Sequence, residues 1–104
     1  MNTNEIKNSN DVIDVALFNK EGRAIPKGLR YKIIVDKTEI IVDKECLTGA
    51  EILVLAGKSD YMRFQLNQRL KGGKVSKVDY LQIVCFTEPG VEKFMTIPLD
   101  QTEG

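Results

Sequence analysis

Residues able to do chemistry are scarce in this sequence. There is no histidine, which removes the commonest general base, proton shuttle and metal ligand together. The two cysteines, Cys46 and Cys85, are too few for a zinc site by themselves. Each lies in an apolar, strand-like stretch and reads as a buried, reduced thiol rather than a nucleophile. No nucleophile–base pair can be assembled from the rest. The expectation is therefore a protein that is not an enzyme, with no catalytic site, no bound cofactor and no metal. Gly72-Gly73 between Lys71 and Lys74 invites a phosphate-loop reading, but Walker spacing is missing and a solvated turn is expected.

The remaining candidate is a backbone group. The sequence closes on PLDQTEG, with nothing apolar after Leu99 and a glycine carboxylate at Gly104. A carboxylate can be joined to AMP as a mixed anhydride, and an enzyme Cys or Ser can then take the acyl group. Glycine has no Cβ, so such an end can thread a narrow channel and adopt backbone angles other residues refuse. Gln101, Thr102 and Glu103 form a polar, extended lead whose backbone an enzyme could bind by strand addition. Gly104 is thus the expected conjugation residue and those three the expected tail-recognition residues. An ordinary frayed end is the competing reading.

The elements that must hold out this tail come from length and pattern. A chain of 104 residues favours one domain. Lys and Arg total 15, matching 15 Asp and Glu. A net charge of zero gives no pull toward nucleic acid or an anionic membrane, and it does not oppose self-association. No apolar run reaches membrane-spanning length, and MNTNEIKNSN lacks the regions of a signal peptide, so a cytoplasmic location is expected.

Residues 1–29 read as an N-terminal arm: a polar start, a strand-like DVIDVALF, then the turn-rich NKEGRAIPKG. The arm can fold on its own domain or add to a neighbour's sheet edge, and the second arrangement would build a homo-oligomer or filament. The core spans residues 30–99. YKIIVDKTEIIVD alternates with strand period about the turn Asp36-Lys37, which predicts a hairpin. Ile34 and Ile41 point away from the inferred core and form a candidate contact patch. Thr48 with Glu51 predicts a capping box. Ile52, Leu53, Leu55 and Ala56 predict an apolar stripe, and Gly57 a helix stop, giving a helix over 48–56. Further strands are expected over 61–66, over 79–86 with Leu81, Ile83 and Cys85 on one face, and over 93–99. A single helix following a hairpin must cross one face of a mixed sheet. The fold class is α+β: a β-grasp of about five strands on one helix, with an added arm and residues 100–104 as a conjugation tail.

The stretches YKIIVD and LTGAEILVLAG and the ending from Phe94 to Gly104 resemble the bacterial ubiquitin-like family of multiubiquitin domains. Its distinctive run is occupied here by Thr48, Gly49, Ile52, Leu53, Leu55, Ala56 and Gly57. The resemblance covers residues 31–104. It implies a protein modifier joined through Gly104, by an isopeptide or ester bond, to an acceptor protein or other molecule. The implied partners are E1-like activating and E2-like conjugating enzymes and a deconjugating peptidase, in a bacterial system of antiphage defence. Many relatives carry tandem copies whereas this chain holds one domain, and ubiquitin ends in Gly-Gly where this chain ends Thr102-Glu103-Gly104. A sulfur carrier shares the fold and the activation chemistry and is the remaining alternative.

Overall fold

A computed structural model describes residues 12–99. The chain begins with β1 (Val12–Asp14), runs into a short helix α1 (Val15–Lys20), and reaches the hairpin β2 (Arg30–Val35) and β3 (Thr38–Val42). A three-residue strand β4 (Cys46–Thr48) leads into the main helix α2 (Gly49–Leu55). After a 3₁₀ turn (Tyr61–Arg63) come β5 (Phe64–Leu70), β6 (Val75–Val78), β7 (Ile83–Cys85) and β8 (Val91–Pro98). Six strands form one mixed sheet, and β4 and β7 form a second, two-stranded sheet. This is a β-grasp, α+β as expected, but with a second helix and an extra small sheet.

The hairpin closes on two residues, with Val35 opposite Thr38. Asp36 takes a positive φ of 57°, a conformation that Asp tolerates better than most residues. The inward residues of β2 follow the strand period: Tyr31, Ile33 and Val35 are all buried. They meet Ile52 and Leu53 of α2 together with Leu66, Val78, Phe86 and Phe94. The Tyr31 hydroxyl is satisfied by the Pro26 carbonyl, at 2.8 Å, so its ring can lie wholly in the core without an orphaned donor.

Helix α2 starts where the sequence places it. Thr48 Oγ1 accepts from the Glu51 N–H at 3.2 Å, and Glu51 Oε1 accepts from the Thr48 N–H at 2.8 Å. The first two helical N–H groups are capped by a different loop: Gly49 donates to the Gln82 carbonyl and Ala50 to that of Tyr80. That close approach explains Gly49, because a Cβ there would overlap the Asp79 carbonyl oxygen. The helix is one residue shorter at its C-terminal end than expected, and Leu55 is half exposed rather than part of the buried stripe.

Three readings are corrected. The stretch DVIDVALF is not one strand: only Val12–Asp14 pairs, parallel to β2, and the chain then turns helical. Asp14 Oδ1 accepts from the Leu17 N–H and caps the new helix, whose Val15 and Asn19, four residues apart, share the buried face. The expected strand over 79–86 survives only as β7, because residues 79–82 form a turn closed by Gln82 N–H on the Asp79 carbonyl. That turn resets the pleat by one residue, so Leu81 and Ile83 point outward while Val84 and Phe86 are buried. The basic connection after Leu66 is instead a hairpin of β5 and β6. Its turn does contain Gly72 and Gly73, both at positive φ.

The described part of the arm packs on its own domain. Ile13, Val15 and Ile25 belong to the core. Asn19, 3% exposed, donates its amide to the Val91 carbonyl and accepts from the Gly90 N–H, so both ends of the buried group are satisfied. Residues 1–11 of the arm lie outside the described residues.

Removing these contacts should be measurable by urea unfolding. Asn19→Ala leaves two backbone groups unpaired and is expected to cost about 1–3 kcal/mol. Thr48→Ala should cost about 1 kcal/mol through loss of the cap, and Gly49→Ala about 1–3 kcal/mol through overpacking against the Asp79 carbonyl.

Candidate functional site

Strand β8 delivers the chain to the tail, and its position is set from both sides. Along one edge it pairs antiparallel with β5 over Phe64↔Pro98 to Leu70↔Val91. Its other edge meets β2 only at Val35↔Phe94, because β1 takes the first half of that edge of β2. Beyond Val35 the hairpin turn replaces the missing strand. Asp36 N–H donates to the Phe94 carbonyl at 2.8 Å, and the Asp36 carboxylate accepts from both the Thr96 N–H at 2.9 Å and the Thr96 hydroxyl at 2.7 Å. A side chain in the turn thereby continues the ladder. The Leu99 N–H donates to the Arg63 carbonyl at 2.8 Å and fixes the last described residue against the 3₁₀ turn. Gln101, Thr102, Glu103 and Gly104 follow and lie outside the described residues.

The two isoleucines of the expected contact patch share the outer face of the hairpin without forming one surface. In the ladder Ile34 faces Glu39, and Ile41 faces Lys32. Lys32 lies between them and bridges Asp14 at 3.3 Å and Glu39 at 3.6 Å. The hydrogen bond and charge of Asp14, with a smaller contribution from Glu39, raise the Lys32 pKa. Ile34 lines a hollow under α1 with Leu17, Lys20 and Lys93. Ile41 is 54% exposed and lines a separate, mainly apolar groove of about 470 Å³ with Leu47, Ala50, Val54, Leu55 and Tyr61. The sequence reading missed this groove. Its signal was the adjacent pair Val54-Leu55, which a two-turn helix cannot bury together with Ile52 and Leu53.

Charge at the groove comes from Asp43, Lys44 and Glu51. The backbone hydrogen bond from Thr48 lowers the Glu51 pKa below its ordinary 4.5; desolvation opposes it, and the Thr48 side chain and the charge of Lys44 add lesser lowering contributions. Cys46 and Cys85 are not separate reduced thiols: they sit directly opposite each other in β4 and β7 and form a disulfide. Among the described residues no three metal-ligating side chains come together, and no helix is long and apolar enough to cross a membrane.

A hairpin feeding a helix across a mixed sheet, with a parallel last strand leading to the tail, defines the ubiquitin-like class of β-grasp proteins. The comparisons narrow this class. A family model described as multiubiquitin matches residues 31–98, and the chain belongs to the multiubiquitin family. Neither the curated proteins nor the solved structures yield a match. The matched span begins at Tyr31, the first buried residue of β2, and ends at Pro98, the last of β8. It therefore covers the grasp and not the α1 addition.

The groove and the core should separate cleanly under substitution. Ile41→Ser and Leu55→Ser should each shift unfolding free energy by less than about 0.5 kcal/mol, whereas Leu53→Ala should cost about 2–5 kcal/mol. A depressed carboxylate stabilises the fold above its unfolded pKa and ceases to as pH falls through the folded one. The melting temperature of the native chain should thus exceed that of Glu51→Ala at pH 7. The gap should close as pH drops below 4.5.

Proposed function

We propose that this protein is a ubiquitin-like modifier, activated and conjugated through the carboxylate of Gly104 by E1-like and E2-like partners and released by a peptidase. The acceptor is a protein or other cellular molecule, and the setting is bacterial antiphage defence. The observation that carries the reading is the anchoring of β8. A strand held by β5 on one edge and by the Asp36 carboxylate on the other offers whatever follows Leu99 from a fixed point. The five residues from Asp100 to Gly104 can extend at most roughly 17 Å from it. That is enough for a polar lead to enter a closed enzyme site without unpicking the sheet. Membership of the multiubiquitin family supports the same reading. In it the protein is the substrate of other enzymes, and its own chemical contribution is an unhindered acyl carbon.

The test is co-expression with its neighbouring genes, followed by trypsin digestion and mass spectrometry. Cleavage after Lys93 leaves Phe94–Gly104 as a branch on the acceptor. That branch is expected, and it should vanish when Gly104 is deleted or replaced by Val. Adducts that persist in both variants would overturn the reading. Asp36→Ala should leave activation intact but lower the yield of conjugate by loosening the anchoring of β8, read as the ratio of adduct to free chain.

A further inference from the structure

We propose that the Cys46–Cys85 disulfide is a reversible redox clasp that holds a capping loop on the start of α2. The two cysteines are 39 residues apart in sequence and directly opposite in the β4–β7 ladder. That ladder has three residues on each strand and stands apart from the main sheet. So short a pair is marginal without a cross-link. The segment entering β7 supplies the Tyr80 and Gln82 carbonyls that accept from Ala50 and Gly49 at the helix start. On the other side of β7, the Phe86 N–H donates to the Glu45 carbonyl. The cross-link therefore lies among the backbone contacts that join this segment to β4 and α2.

Opening the clasp releases backbone contacts and not the core: Leu47, Val84 and Phe86 stay packed with the buried face of β2, Leu66, Phe94, Ile52 and Leu53, and the six-stranded sheet holds that face. The reciprocal Thr48–Glu51 cap lies within one segment. Both cysteines are half-buried rather than enclosed, so a small reagent can reach them. The co-reactant is a low-molecular-weight disulfide. The thiolate of one cysteine attacks it, forming a mixed disulfide and releasing one small thiolate. The second cysteine, as thiolate, then attacks the protein sulfur of that mixed disulfide and displaces the other. In sum, a protein dithiol and one small disulfide give the protein disulfide and two small thiols, and excess thiol runs the sequence backward.

The experiment uses the full chain equilibrated in a series of reduced and oxidised glutathione mixtures, approached from both the fully reduced and the fully oxidised protein. Thiols are trapped with iodoacetamide and counted by mass, and amide hydrogen exchange is followed at the two extremes. Two alkylations are expected at the reducing end, none at the oxidising end, and one midpoint from either direction. On reduction, protection at Gly49, Ala50 and Phe86 should fall by about tenfold or more while amides of β2, β5 and β8 keep theirs. Cys46→Ser and Cys85→Ser should both show the open pattern at every glutathione ratio. Failure of the bond to form with oxidised glutathione would overturn the proposal. So would midpoints that differ with direction, unchanged protection at the loop, or an equal loss across the whole domain, the mark of a static staple.

Discussion

The fold depends on the burial of one strand face against one helix face. Tyr31, Ile33 and Val35 on β2 and Ile52 and Leu53 on α2 are at most 2% exposed. Each large apolar side chain so buried contributes about 1.5–3 kcal/mol, a substantial share of the 5–15 kcal/mol by which domains are typically stable. The contact constrains everything beside it. Strand β2 must be central, so it carries β3 along one edge and shares the other between β1 and β8. The helix must lie close, so its first residue must be glycine where the 79–82 turn crosses it.

Sharing an edge has a structural consequence for the C-terminal strand. Because β1 occupies residues 30–32 of β2, β8 meets that strand at a single pair and runs past it. An unsupported strand edge would be left at Thr96. The Asp36 carboxylate fills the gap with two hydrogen bonds, and charge-assisted bonds of this kind are stronger than neutral ones. The same aspartate thus sets the hairpin turn, through its positive φ, and steadies the strand that leads to the tail.

Much of the grasp was legible. The hairpin could be read because alternation and a two-residue polar turn are local signals. The capping box at Thr48 and Glu51 could be read for the same reason. Asn19 could not: as a sequence letter it is a polar residue near a turn, and its burial follows only from the Gly90 and Val91 backbone groups more than 70 residues away that satisfy it. Leu81, Ile83 and Cys85 formed a plausible inward face until the turn at 79–82 shifted the register. The apolar groove was equally invisible, because Ile41 and Val54-Leu55 become neighbours only once α2 crosses the sheet.

The sequence by itself determined the β2–β3 hairpin, the capped start of α2, the β-grasp class and the absence of histidine chemistry, because propensity, periodicity and caps act over a few residues. Tertiary structure alone decided which face each apolar residue presents, that Asp14 starts a helix instead of prolonging a strand, that Cys46 meets Cys85, and that Asp36 braces β8. The physical reason is the same in each case. Pairing register, buried hydrogen bonds and the cross-link join residues far apart in the chain, and their geometry exists only after the helix and sheet have closed on one another.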